Sequence, residues 1–186
     1  IYRQNAPHVV GGTLYLVKTL WYATPASINT WLLQNQSANT TGLIVSHPED
    51  MGFIFHEGIP EEWALIRNNS QAYTYDQALA GIAMVKEGNV TAAKRIFDFY
   101  YAEWQREAGA FSGFWTVYHV DAATQWKKFE WRKGMGENAW MALFFLHYAD
   151  AVALSSPAEK AKALELASVV AEWIGSLPHH AGGAAM

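Results

Sequence analysis

Residues 73–104 read YTYDQALAGIAMVKEGNVTAAKRIFDFYYAEW, and this stretch decides the fold class. Thr74 followed by Gln77 has the form of a capping box, in which two side chains satisfy the free backbone donors of a helix start. Leu79, Ile82 and Ala83 then recur at helical steps, which predicts an amphipathic helix with these residues on its buried face. Gly88 predicts its end, because helices commonly close on a residue of positive φ, a conformation glycine adopts without steric penalty. Asn89 stands where it would cap the next helix, whose inner face is predicted at Ala93, Ile96, Phe97, Tyr100 and Trp104. With so short a link, the two helices are expected to fold back as an antiparallel hairpin.

A second hairpin is predicted downstream. Trp140, Leu143, Phe144, His147, Tyr148, Ala151 and Leu154 recur at three- and four-residue steps. Ser156-Pro157-Ala158-Glu159 then offers a cap serine, proline at the first helical position and glutamate at the third, opening a helix to about Gly175. Asp76-Gln77-Ala78-Leu79 aligns with Glu137-Asn138-Ala139-Trp140 as acid, amide, alanine and large apolar residue, with Ile82 and Leu143 in step. Such self-similarity marks stacked hairpins that share a core. Residues 12–36 are expected to add a further pair or half-pair of helices with Leu14, Leu20, Trp21, Trp31 and Leu32 inward. The apolar runs Val9 to Ala23 and Trp140 to Leu154 are too short or too polar to span a bilayer and are read as core helices. Between these units lie two irregular stretches, 39–73 and 109–136. The second is rich in aromatic residues, and Trp115-Thr116-Val117-Tyr118 has the residue types of a short strand. The expected fold is all-α, a single domain over 1–186 of antiparallel α-hairpins with long aromatic-rich loops.

Composition narrows the function. The chain of 186 residues is 51% hydrophobic and 16% charged, a balance that supports a packed core and argues against disorder. Its net charge of −4 and scattered basic residues lack the footprint of a nucleic-acid binder. Without cysteine, disulfides, thiolate metal sites and a cysteine nucleophile are excluded. Nine Trp, nine Tyr and nine Phe exceed what a small helical core needs, and surplus aromatic faces suit stacking on rings. Four N-x-S/T triplets, at Asn35, Asn39, Asn68 and Asn89, together with a start at Ile1, are read as an exported, glycosylated chain that is a mature form or a fragment.

Several of these segments carry a family resemblance. Thr41-Gly42-Leu43-Ile44-Val45-Ser46, Tyr73-Thr74-Tyr75-Asp76-Gln77-Ala78-Leu79-Ala80, Gly88-Asn89 with Ala92 and Ile96, and Gly136-Glu137-Asn138-Ala139-Trp140 resemble the successive motifs of α/α-toroid proteins. That group includes glycoside hydrolases, polysaccharide lyases and sugar epimerases. The resemblance covers roughly residues 29–151. It implies hairpins of a partial (α/α) toroid, an extracytoplasmic location, and a poly- or oligosaccharide as ligand. The chain holds about half the hairpins of a closed toroid, which implies a homo-oligomer or the remainder of a larger protein as partner.

Within the resemblance, acids at inner helix starts face the sugar cleft. That selects Asp76 and Glu137, with Asp121 and Glu130 in the adjoining loop. Two carboxylates flanking a glycosidic bond supply the acid and the base or nucleophile of hydrolysis. The competing explanation is capping, since acids in a first turn are favoured by the helix dipole. A lyase or epimerase would instead use Tyr118 and His119, with Tyr75 as a further candidate, while Lys127, Lys128, Arg132 and Lys133 neutralise a uronate. Tyr75, Trp115, Trp126, Trp131, Asn138 and Trp140 are the expected substrate contacts. No cofactor is expected. The acids and histidines His47, Glu49, Asp50, His56, Glu57, Glu61 and Glu62 could hold calcium, although their spacing matches no defined metal loop. Gly134-Met135-Gly136-Glu137-Asn138-Ala139 resembles a dinucleotide turn but lacks the flanking strands. A noncatalytic sugar-binding or structural surface module built from the same hairpins remains the alternative.

Overall fold

A computed structural model describes residues 8–10, 13–15, 24–46, 71–107, 109–120, 132–180 and 183–184. The described residues form five helices: α1 (Pro25–Ser37), α2 (Thr74–Lys86), α3 (Val90–Arg106), α4 (Met135–Val152) and α5 (Pro157–Ser176). Three antiparallel strand pairs accompany them: β1 (His8–Val10) with β2 (Thr13–Tyr15), β3 (Gln71–Tyr73) with β4 (Val117–His119), and β5 (His179–His180) with β6 (Gly183–Ala184). The protein is mainly helical, as expected of an all-α fold. The described parts of the Val9 to Ala23 run are strands, so the core helix expected there is corrected: β-branched and aromatic residues on either side of Gly11-Gly12 favour a hairpin.

Helices α4 and α5 make the broadest contact, followed by α2 with α4, and α2 with α3. Tyr75 meets Trp140 and Gly81 meets Phe144, so α2 and α4 run side by side in the same direction. The approach is close because Gly81 has no side chain; a Cβ there would enter the Phe144 ring. The core between the helices is aromatic. Phe97 stacks on Tyr148 at 4.8 Å between centroids and meets Phe145 edge-on at 5.8 Å, while Tyr100 meets Phe114 edge-on at 4.9 Å. Met84, Ile96, Met141, Phe144, Leu166 and Val170 close the same cluster.

The predicted inner face of α3 holds, with Ala93, Ile96, Phe97 and Tyr100 buried and Trp104 half-buried. The expected face of α4 holds at Phe144 and Tyr148, which are completely buried, but not at its other large apolar positions, and the face of α2 is rotated from that expected. Leu79, Trp140, Leu143 and Leu154 are exposed, whereas Ala78, Gly81 and Met84 on α2 and Met141, Phe145 and Ala149 on α4 are buried. Both helices are apolar nearly all round, so periodicity could not tell the face against α3 and α5 from the opposite one. On α1, Leu32 is buried and Trp31 is exposed.

Gly88 ends α2 at φ +77 as expected. The expected caps did not form. Asn89 and Ser156 make no side-chain cap bond, and Thr74 is itself the first residue of α2, beginning after Tyr73. The side chains of Thr74, Gln77 and Glu159 go instead to partners outside the cap. Gln77 binds Ile44, Thr74 binds Trp115 and Tyr100, and Glu159 binds Lys94, Tyr148 and Lys162.

Candidate functional site

The starts of α2 and α4 lie beside two loops, residues 41–46 and 111–120, that are bonded to them. Gln77, fully buried, grips Ile44 with both ends of its amide: Oε1 accepts from the Ile44 N–H at 2.8 Å, and Nε2 donates to the Ile44 carbonyl at 2.7 Å. Asn138, also fully buried, grips Phe114 in the same way, accepting from its N–H at 2.7 Å and donating to its carbonyl at 3.0 Å. Its Nδ2 also reaches the Gly134 carbonyl at 2.7 Å. A side-chain amide thus mimics a strand neighbour and satisfies a buried backbone pair that would otherwise cost about 1–3 kcal/mol per lost partner.

The two loops are joined to one another and to the helix starts. Thr41 Oγ1 donates to the Val120 carbonyl at 2.7 Å, and the Ser46 N–H donates to the Gln71 carbonyl at 2.9 Å. Thr74 Oγ1 donates to the Trp115 carbonyl at 2.5 Å and accepts from Tyr100 Oη at 3.0 Å. The β3–β4 ribbon, in register Gln71↔His119, Ala72↔Tyr118 and Tyr73↔Val117, completes this polar layer.

On its outer side the aromatic rings of Tyr75 and Trp140 remain 40% and 39% exposed and meet edge-on at 5.8 Å. Each belongs to the helix start that carries an acid, Asp76 or Glu137, and both acids are half-buried. The Glu137 carboxylate folds over Gly134, where a Cβ would collide with it. That is the position from which an acid at the third residue of a helix meets the free backbone donors of the first turn.

Trp115 is half-buried under Lys133 Nζ, 4.5 Å from the ring centroid. The same ammonium binds Glu107 at 3.1 Å and Ser112 Oγ at 2.7 Å. Tyr118 and His119 are buried, at 5% and 1% exposure. The Tyr118 hydroxyl accepts from the Trp115 N–H at 3.1 Å, and burial, followed by the nearby Tyr100, holds it well above the usual phenol range. Gln71, opposite His119, is buried, and its Nε2 has no hydrogen-bond partner among the described residues.

Asp121, Glu130, Trp126, Trp131, Lys127, Lys128 and Asn68 lie outside the described residues, as does the acid and histidine cluster from His47 to Glu62. Among the described residues no group of three His, Cys, Asp or Glu could hold a metal, and no helix is long and apolar enough to cross a membrane. Asn35 Nδ2 donates to the Val45 carbonyl at 3.1 Å, and Asn39 Nδ2 to the carbonyls of Asn35 and Leu43 at 3.0 Å, so a glycan on either would displace internal bonds. Asn89 is half-buried beside a cleft of about 430 Å³ lined by Gln36, Val90, Thr91 and Arg95 among others.

Sequence reasoning missed that Gln77, Asn35 and Gln36 are fasteners of loop backbone. The signal was present in the amide that follows the acid in both aligned helix starts. No family model matches this chain, and no curated protein or solved structure shows significant similarity to it.

Proposed function

We propose that this is a carbohydrate-active protein that takes a poly- or oligosaccharide on the Tyr75–Trp140 side of α2 and α4. The observation that carries the reading is the exposed, edge-on aromatic pair between two acid-bearing helix starts. Flat apolar faces suit the C–H faces of sugar rings, and neighbouring carboxylates suit their hydroxyl groups. In the catalytic form of this reading, Asp76 and Glu137 act as the acid and base of glycoside cleavage, on hairpins of a partial α/α toroid. The amide fastening repeated at both helix starts supports a repeated hairpin unit. An extracytoplasmic location and a second copy or a longer polypeptide as partner belong to the same proposal. Exposed Leu79, Leu143 and Leu146 support a covering partner.

The test is incubation with neutral and uronic polysaccharides, scored for new reducing ends or unsaturated products. Asp76→Asn and Glu137→Gln are each expected to abolish cleavage while leaving the melting temperature nearly unchanged. A noncatalytic saccharide-binding module is the second reading, favoured by the Glu137 carboxylate folded over Gly134 in a capping position. Binding of the panel without any product, and a lower melting temperature for Glu137→Gln, would select it.

A further inference from the structure

Two helix starts that differ in sequence use one device. At Gln77 and at Asn138 a fully buried amide, one residue after an acid, binds the N–H and the carbonyl of a single loop residue. Consecutive helical residues project about 100° apart, so the amide can turn into the loop while the acid before it turns elsewhere. The loops gripped in this way are themselves tied together at Thr41–Val120, and the 111–120 loop reaches the start of α2 through Thr74. The two helix starts are therefore linked through loop backbone as well as through the Tyr75–Trp140 contact.

We infer that Gln77 and Asn138 are paired positioning residues: acting through the Ile44 and Phe114 loops, they set the spacing of the two helix starts that carry Asp76, Tyr75, Glu137 and Trp140. The functional consequence rests on the saccharide reading, whereas the spacing itself is measurable without a ligand. Each amide does what only a group with a donor and an acceptor at carboxamide geometry can do. A carboxylate keeps the acceptor and loses the donor, so Gln77→Glu and Asn138→Asp should keep half of the grip. Gln77→Leu and Asn138→Leu should lose it entirely.

The experiment uses the full chain labelled with ¹⁵N and ¹³C. Amide exchange of Ile44 and Phe114, ring-to-ring nuclear Overhauser contacts between Tyr75 and Trp140, and affinity for neutral hexasaccharides are read in each variant. In Gln77→Leu, exchange at Ile44 should rise at least tenfold while exchange at Ile96 and Phe97 is unchanged; Asn138→Leu should do the same at Phe114. The Tyr75–Trp140 contact should weaken in both, and affinity should fall at least tenfold, with the Glu and Asp variants intermediate. Unchanged exchange at Ile44 and Phe114, or an unaltered ring contact despite faster exchange, overturns the inference. Faster exchange and a weakened ring contact with undiminished affinity also overturn it, because positioning then has no consequence at the ligand. If the parent chain binds no hexasaccharide, the saccharide reading fails, and the exchange and ring contacts alone decide the positioning role. Should either Leu variant fail to fold, the Glu and Asp variants carry the ring-contact and affinity measurements, because their retained acceptor keeps the Ile44 and Phe114 N–H groups bonded.

Discussion

Helix α4 has two apolar sides with opposite fates. On one, Met141, Phe144, Phe145 and Tyr148 are completely buried against α2, α3 and α5; on the other, Trp140, Leu143 and Leu146 are about two-fifths exposed. The residue types hardly differ, so hydrophobicity alone did not choose between them. What separates the sides is geometry. The buried side meets Gly81, where a missing side chain admits the Phe144 ring, and meets Phe97, which stacks on Tyr148. Among the described residues, the ring that meets the exposed side is Tyr75 on α2. An apolar residue is core when a partner surface fits it, and the same residue a turn away is available for binding.

That comparison breaks first at Phe144. Phe144→Ala should lower unfolding free energy by about 3–5 kcal/mol, whereas Leu143→Ala should change it by no more than about 0.5 kcal/mol. Urea titrations of both variants check this, and similar losses would mean that the exposed side is covered in solution. Asn138→Leu comes next, at about 1–3 kcal/mol, because Phe114 keeps a buried N–H and carbonyl with no partner. A loss below the error of the titration would mean that water replaces the amide.

Glycine substitutions sharpen the comparison further. Gly81→Ala should destabilise by about 1–3 kcal/mol through the collision with Phe144, although alanine is the better helix former. Gly175→Ala, which meets nothing within 4 Å, should stabilise by up to about 1 kcal/mol. Thermal unfolding should therefore move in opposite directions for two chemically identical changes.

The smallest expected effect concerns charge at the outer helices. Glu159 joins α5 to α3 through Lys94 at 3.1 Å and to α4 through Tyr148 Oη at 3.3 Å. Burial pushes the Glu159 carboxyl upward, but Lys94, Lys162 and the Tyr148 hydroxyl outweigh it and hold it below the usual carboxylate range. Burial likewise pulls Lys94 down, and Asp98 and Glu159 outweigh it to hold the ammonium above its usual value. A lowered carboxyl stabilises above its unfolded pKa of about 4.3 and loses that contribution as pH falls through the folded value. A raised ammonium stabilises below about 10.4 and loses its contribution as pH rises through the folded value. Because Lys94 is two-fifths exposed, Glu159→Gln should cost at most about 1 kcal/mol at pH 7. The difference from the parent should shrink as pH falls below about 4.3 and through the lowered folded value, since both then carry a neutral side chain. A constant difference from pH 7 to pH 3 would show that packing, and not charge, is responsible.

Part of this architecture was legible from residue order. Gly88 marked the end of α2 because its positive φ is a backbone property that glycine carries wherever it stands. Pro157 marked the start of α5, and the inner face of α3 followed from Ala93, Ile96, Phe97 and Tyr100 because the opposite side is charged or small. The repeat of acid, amide and alanine pointed to equivalent helix starts. Its chemistry differs from expectation at Gln77, where the spacing from Thr74 suggests a local cap and the partner is Ile44, 33 residues away.

By itself, then, the sequence determined which segments from Thr74 onward are helical, where some of them stop, and which residue types gather at their starts, since these depend on local backbone preference and short-range periodicity. Tertiary structure alone decided which side of α2 and α4 is core and which polar side chain leaves its own helix for a distant loop. Those choices turn on shape and on competition between partners far apart in the chain. Gly81 admits Phe144, Gln77 takes Ile44 in place of a local cap, and Tyr75 and Trp140 are left at the surface because nothing in the described fold fits over them.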